Sequence, residues 1–245
     1  MKDNFSSQSD QYARYRPTYP AAYFDYLDTL VPNKQTAWDC GTGNGQVAVQ
    51  LARTFDRVFA TDISQAQIDQ ARPADHITYS VQPAEATDFP DLFFDLIIAA
   101  QAIHWFDFDR FYAEVRRTAK EEALLCVVGY ARPTITDAVD QVVTEFYTQV
   151  VGPYWDPERR YIDDHYQTIP FPFEEIEPPA FAHELSWSLE HLIGYLNTWS
   201  AVKHFIRANG YNPVDALRAR LEAQWGEAPL RPVRFPLLLR LGYVS

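Results

Sequence analysis

The residues with the most chemistry in this sequence are Ala37-Trp38-Asp39-Cys40-Gly41-Thr42-Gly43-Asn44-Gly45-Gln46. An apolar run ends in three glycines at alternate positions, and a helical pattern begins just beyond them. Glycines at that spacing let the backbone turn tightly and approach a ligand with no Cβ in the way. The helix start adds unpaired N–H groups and positive potential. A second apolar run ends in Asp62, where a carboxylate can accept both hydroxyls of a ribose. Two ligand classes fit. A dinucleotide fingerprint needs Gly-x-Gly-x-x-Gly, with its third glycine where this chain has Gln46. Here the spacing is Gly-x-Gly-x-Gly, and Asp39 stands two residues before the first glycine. That carboxylate would repel a pyrophosphate but suits the ammonium of an amino-acid moiety. The loop therefore favours S-adenosylmethionine over a nicotinamide dinucleotide.

Such a loop needs an alternating α/β chain to carry it, and the sequence supplies one. Thr36–Cys40, Arg57–Thr61, Ile77–Val81, Phe94–Ala100 and Ala123–Tyr130 read as strands. Gln46–Thr54, Ser64–Ala71 and Asp107–Ala119 read as the helices between them, which predicts βαβ units and a parallel sheet. After Arg132 the rhythm breaks. Asp137–Val151 reads as a helix, and the stretch from Gly152 to Pro179 is dense in proline and aromatic residues, which precludes long helices or central strands. Residues 132–179 are expected to be an inserted lid over the substrate. Phe181–Leu189 and Arg234–Tyr243 then read as strands flanking helices at Leu192–Ile206 and Val214–Gln224. At 245 residues and 47% hydrophobic, the chain fits a single domain over 1–245. Thirty-three acids against 21 Lys plus Arg, a net charge of -12, oppose nucleic-acid binding. Cys40 and Cys126 lie in apolar runs with no pairing pattern, and no apolar stretch has the length of a membrane span. A cytoplasmic protein is the expectation.

The sequence resembles the class I S-adenosylmethionine-dependent methyltransferases, and within them the small-molecule branch that includes trans-aconitate methyltransferase-like proteins. The resemblance rests on Asp39-x-Gly41-x-Gly43-x-Gly45, on Asp62-Ile63-Ser64, on Ala84-Glu85, and on Phe94-Asp95-Leu96-Ile97 through Gln101-Ala102-x-His104-Trp105-Phe106. Tyr12-x-x-Tyr15-Arg16-Pro17-x-Tyr19-Pro20, Trp199-Ser200 and Phe235-Pro236-Leu237 extend it. It implies a doubly wound, Rossmann-like sheet of seven strands, mostly parallel with one antiparallel strand. It also implies that Gly41 and Gly43 line the methionyl part of the cofactor, that Asp62 with Ile63 holds the ribose, that Ala84 and Glu85 flank adenine, and that Gln101 lies under the cofactor. Two positions depart from the pattern: Pro83 stands where many relatives have an acid for the adenine amino group, and Gln67 where a Met often packs on adenine.

Methyl transfer from a sulfonium needs proximity, alignment and exclusion of water, and a base only if the acceptor must lose a proton. His104 falls just past the fourth strand, at the edge where ligands bind in open α/β sheets, and imidazole titrates near neutrality. It is either a catalytic base or a residue that shapes the site floor beside Trp105. Arg16 and Tyr12, in an N-terminal arm over residues 1–20, either fold across the cofactor, where Arg16 clamps its carboxylate, or form a surface arm. Arg132, Arg159 and Arg160 among aromatics fit a small carboxylated or aromatic acceptor, or a packed lid. The scattered histidines give no metal site, and no Gly-x-Ser-x-Gly elbow marks a hydrolase. The expected function is methylation of a small-molecule acceptor, with an oxygen and specifically a carboxylate first. An NAD-dependent oxidoreductase and a non-catalytic S-adenosylmethionine-binding protein are the alternatives.

Overall fold

The apolar runs that flank the glycine loop become the middle of a sheet. In the computed structural model, which describes residues 14–244, the strands are β1 (Thr36–Cys40), β2 (Arg57–Asp62), β3 (Ile77–Val81), β4 (Phe94–Ala100), β5 (Ala119–Tyr130), β6 (Glu174–Ile176), β7 (Ala182–Trp187) and β8 (Arg231–Tyr243). Their order is β3-β2-β1-β4-β5-β8-β6. β1 to β5 pair in parallel, β8 is antiparallel to β5, and β6 and β7 are antiparallel to β8. Hence β8 alone opposes the common direction among the described residues. The continuous path has the seven expected strands. An eighth, β7, pairs with Arg231–Pro236, the first part of β8, because that long strand extends past the end of β5.

Helices cover both faces of the parallel half, and each connecting segment ends where its caps dictate. The helix Gln46–Leu51 starts at Gly45, Ser64 caps Gln65–Ile68, and Asp107 caps Phe108–Thr118. The segment predicted as one helix over Asp137–Val151 is an α-helix to Glu145 followed by a wider π-turn, Phe146–Val150, closed by Val151 N donating to Phe146 O at 3.0 Å. Leu192–Ile206, predicted as a single helix, is two: Leu189–Asn197 and Ser200–Asn209. The break at Thr198-Trp199 lets the Trp199 indole bury fully among Phe146, Tyr147, Trp155 and Tyr195.

Three apolar clusters result. Two lie against the two sheet faces, one of them taking in Ile162, Tyr166 and Ile169. The third joins Val139–Val151 to the helices after β7, and so forms a cap outside the sheet proper. Arg240 on β8 ties the chain after Tyr166 to the sheet. Only 9% exposed, it donates through Nη1 to the carbonyls of Tyr166 (3.0 Å) and Ile169 (2.8 Å), and through Nε to Glu175 Oε2 at 2.6 Å. Replacing it would leave two carbonyls and a carboxylate without these partners. Arg240→Met is expected to cost about 2–3 kcal/mol in urea unfolding, and a loss below about 1 kcal/mol would show that water replaces the guanidinium without penalty.

Candidate functional site

The chain passes from β1 to β2 and β3 on one side, then crosses back to β4 on the other, so the carboxyl ends of β1 and β4 diverge. A crevice at such a switch point is where open α/β sheets bind ligands. A cavity opens there, between the glycine loop, the turn after β2, the end of β4 and the arm at Arg16 and Tyr19.

The loop reaches this crevice because its backbone is left-handed. Gly41 has φ 73°, and a Cβ on it would lie 2.5 Å from that of Ala102. Its N–H and that of Thr42 both donate to Thr61 O, at 2.8 and 2.9 Å, which presses the loop onto β2. Gly45, also left-handed, leaves room for the Tyr79 ring, whose hydroxyl donates to Arg72 O at 2.8 Å. Gly45 starts the helix rather than lining the cavity.

Asp39 is the buried charge of the site. Its Oδ2 accepts from the Thr42 hydroxyl at 2.6 Å and from Ala48 N at 3.0 Å. Its Oδ1 is buried with no hydrogen-bond partner among the described residues. Burial pushes the carboxyl up to about 7, against the pull of those two donors. Asp62 accepts from Gly43 N and Ser64 N, both at 2.9 Å, one on each oxygen. Gln101 directly follows β4 with φ 52°, an uncommon conformation for a residue with a Cβ. Its N–H donates to Val128 O at 2.8 Å and its side-chain amide to Tyr130 O at 3.2 Å.

A second cavity adjoins the first and shares Arg16, Gln101 and Trp105 with it. Its other walls include His104, Trp155, Asp156 and Arg159. His104 is 5% exposed, and its Nδ1 lies 3.2 Å from the Tyr166 hydroxyl, which in turn donates to Gln101 Oε1 at 3.4 Å. Gly129 makes space for Tyr166, since a Cβ there would lie 2.7 Å from its hydroxyl. Burial, with the Arg159 charge adding to it, brings His104 down to about 3, so the ring is neutral at physiological pH.

The structure thus gathers Arg16, Asp39, Gly41, Gly43, Asp62, Ile63 and Gln101 around the first cavity and places His104 in the second. Ala84 and Glu85 are elsewhere. Ala84 is packed in an aromatic cluster, and Glu85 accepts from Asp107 N at 3.1 Å, at the start of the next helix. Tyr12 lies outside the described residues. Arg16 donates through Nε to Thr198 Oγ1 at 2.9 Å and through Nη1 to the Tyr130 hydroxyl at 3.3 Å, so the arm leans on the cap. Sequence reasoning missed Asp156, Tyr130 and Ser200 as wall residues. They come from segments far apart in the chain, and only the spacing of Asp156 one turn before Arg159 offered a signal. Among the described residues no group of three or more His, Cys, Asp or Glu is placed to hold a metal ion, and no helix is long and apolar enough to cross a membrane.

Comparison with known proteins agrees with this geometry. Residues 38–127 match the family described as a methyltransferase domain. A protein of Dictyostelium discoideum named as a methyltransferase is 35% identical over 247 residues, covering 98% of this chain and 94% of its own. A solved structure from Anaeromyxobacter dehalogenans, described as a type II methyltransferase, is 41% identical with a TM-score of 0.87, covering 94% of this chain and 98% of that one. A methyltransferase structure from Bacillus halodurans, 17% identical with a TM-score of 0.53 over 92% of this chain and all of that one, shares the fold.

The dry carboxyl makes stability depend on pH. Asp39 favours folding fully below pH 3.8, its ordinary value, and that support is withdrawn as pH rises through about 7. Asp39→Asn keeps an acceptor for Thr42 and Ala48 without the charge. The variant is expected to gain about 2–4 kcal/mol on the parent between pH 4 and pH 8, ligand-free and by urea unfolding. A gap that does not change with pH would contradict this.

Proposed function

The chain belongs to the class I S-adenosylmethionine-dependent methyltransferases, and on that premise we propose that it methylates an oxygen of a small molecule held in the second cavity, a carboxylate oxygen first. The observation that carries this reading is the shared wall of the two cavities. Arg16, Gln101 and Trp105 face both, so a donor in one and an acceptor in the other meet across a few side chains.

The residues present fit the cofactor. Asp39 Oδ1 is a buried acceptor oxygen in need of a cation, which the ammonium of the methionyl part supplies. A Cβ on Gly41 would collide with Ala102, so the loop packs directly on the segment after β4 and stays close beside the cavity. In this reading Arg16 pairs with the cofactor carboxylate, Asp62 with Ile63 holds the ribose, and Gly41 and Gly43 line the methionyl chain. Gln101 supports it from below. Gln67, buried beside Gly43, takes a position on the adenine side, and Ala84 and Glu85 act from behind the wall. When bound, S-adenosylmethionine supplies a methyl group whose C–S bond breaks with its electron pair going to sulfur as the acceptor lone pair bonds to carbon.

The state of His104 supports the choice of acceptor class. His104, the titratable residue expected to be the base, is held neutral and is a weak base with a value of about 3. An acceptor that is already anionic needs no proton removed, and a carboxylate is such an acceptor. His104 is then a positioning residue that, through Tyr166, fixes Gln101. The arm and residues 132–179, with the helices packed on them, exclude water from the meeting point.

Calorimetry is expected to show S-adenosylhomocysteine binding and no binding of a nicotinamide dinucleotide. The opposite result would end this reading. Arg16→Ala is expected to weaken S-adenosylhomocysteine at least fivefold, and unchanged affinity would remove the clamp. Once an acceptor is found by labelled-methyl screening of small acids, His104→Gln is expected to lower kcat less than tenfold and to leave its pH profile unaltered between pH 6 and 9. A larger loss together with a missing inflection would make His104 the base.

A further inference from the structure

The second cavity contains two opposite charges that do not meet. Arg159 and Asp156 both line it, one turn apart, with Arg159 N donating to Asp156 O at 2.9 Å. No ion pair joins their side chains. Arg159 is held through Nε alone, which donates to the Tyr147 hydroxyl at 2.9 Å and lies 3.5 Å from Asp163 Oδ1. Its guanidinium carbon lies 4.7 Å from the centre of the Trp155 ring and 5.3 Å from that of Tyr147. Neither Nη nitrogen makes a hydrogen bond among the described residues, although the side chain is only 17% exposed. Asp156, 13% exposed, has its Oδ2 buried with no hydrogen-bond partner among the described residues, and His204 Nδ1 lies 3.9 Å from it. That nitrogen lies 2.9 Å from the Tyr154 carbonyl, a contact in which it must be the donor.

An arginine and an aspartate this near in one cavity would lower their energy by pairing. Here stacking and Tyr147 hold one while the other is left with an idle oxygen. Desolvated polar groups without partners are costly, and a ligand that supplies both partners recovers that cost. The open side of a guanidinium presents parallel N–H groups that match a carboxylate. A buried carboxylate oxygen calls for an O–H or N–H⁺ hydrogen.

We propose that the second cavity selects an acceptor bearing a carboxylate and, on the same molecule, a hydroxyl or ammonium group, with Arg159 binding the first and Asp156 the second. This rests on the reading of that cavity as the acceptor chamber. Trp155 and Trp105 bound the carbon skeleton between the two polar anchors. The same contacts account for product release, because a carboxylate turned into an ester loses the charge that Arg159 held.

The test is calorimetry on protein saturated with S-adenosylhomocysteine, with C4 to C8 aliphatic acids and benzoic acids as probes. Each probe is offered plain, hydroxylated, aminated and as its methyl ester. At least one hydroxy or amino acid is expected to bind tenfold or more tighter than its plain parent and its own ester. Asp156→Leu is expected to erase that preference, and Arg159→Gln to abolish acid binding. Both should leave S-adenosylhomocysteine affinity within twofold, since neither residue lines the first cavity. Asp156→Asn separates the two donors: a hydroxyl preference survives it and an ammonium preference does not. The proposal is overturned if plain and substituted acids bind alike, if the preference survives Asp156→Leu, or if no acid in the panel binds while S-adenosylhomocysteine does. The wild-type comparison decides this even where a variant fails to fold. Failure of S-adenosylhomocysteine itself to bind would overturn the methyltransfer reading, and this one with it.

Discussion

A carboxylate kept dry at the end of a central strand is the feature around which the site is organised. Asp39 lies on β1 between β2 and β4, with strand neighbours on both sides, so water cannot solvate it. One oxygen is satisfied by Thr42 and Ala48, which fixes the glycine loop and the first turn of its helix at once. The other is buried beside the crevice with no hydrogen-bond partner among the described residues. Its field is set before any ligand arrives, so little reorganisation accompanies binding. The loop conformation, the placement of Asp62 against Gly43, and the crossing of the chain between β3 and β4 all serve to bring ligand-sized space to that oxygen.

The neighbouring chamber is built differently. The segment just after β4 contributes Gln101, His104 and Trp105, and the rest of the wall comes from the stretch Trp155–Ile162, from Ser200 and from Arg16 of the arm. Tyr166 couples the two parts. Its ring fills the space left by Gly129, and its hydroxyl connects His104 to Gln101. The strained backbone of Gln101 is held by two hydrogen bonds to β5, a rigid support for a residue that both chambers share. The neutrality of His104 has the same origin, since enclosure by protein and the Arg159 charge both disfavour its protonated form.

The parallel half of the fold was legible because its central strands, β1, β4 and the later part of β5, are buried on both faces and read as largely apolar runs. β1, β3 and β4 have the predicted bounds, and the glycine loop falls where alternate glycines require it. What failed to show was everything decided by distant packing. Nothing local separates Leu189–Asn197 from Ser200–Asn209, since the break exists to bury Trp199 against the segment before it. β6 is three residues in a proline-rich stretch, held by β8 and by Arg240, and β7 depends on how far β8 extends. The adenine-side pair Ala84 and Glu85 was placed by a motif, whereas packing puts them outside the cavity wall. Asp156 and Arg159 take on meaning only once Trp155 and His104 are brought opposite one another.

The cap has its own apolar cluster, joined to the sheet chiefly through Tyr130, Phe235 and their neighbours. Substitutions at Trp155 or Ser200 alter one chamber while leaving the β1 carboxylate and its loop untouched. A molecule built this way can exchange one clientele for another by drift in a semi-independent module, with no intermediate that forfeits its donor. Diversity among its kin should therefore concentrate between positions 135 and 230, and constancy before position 130.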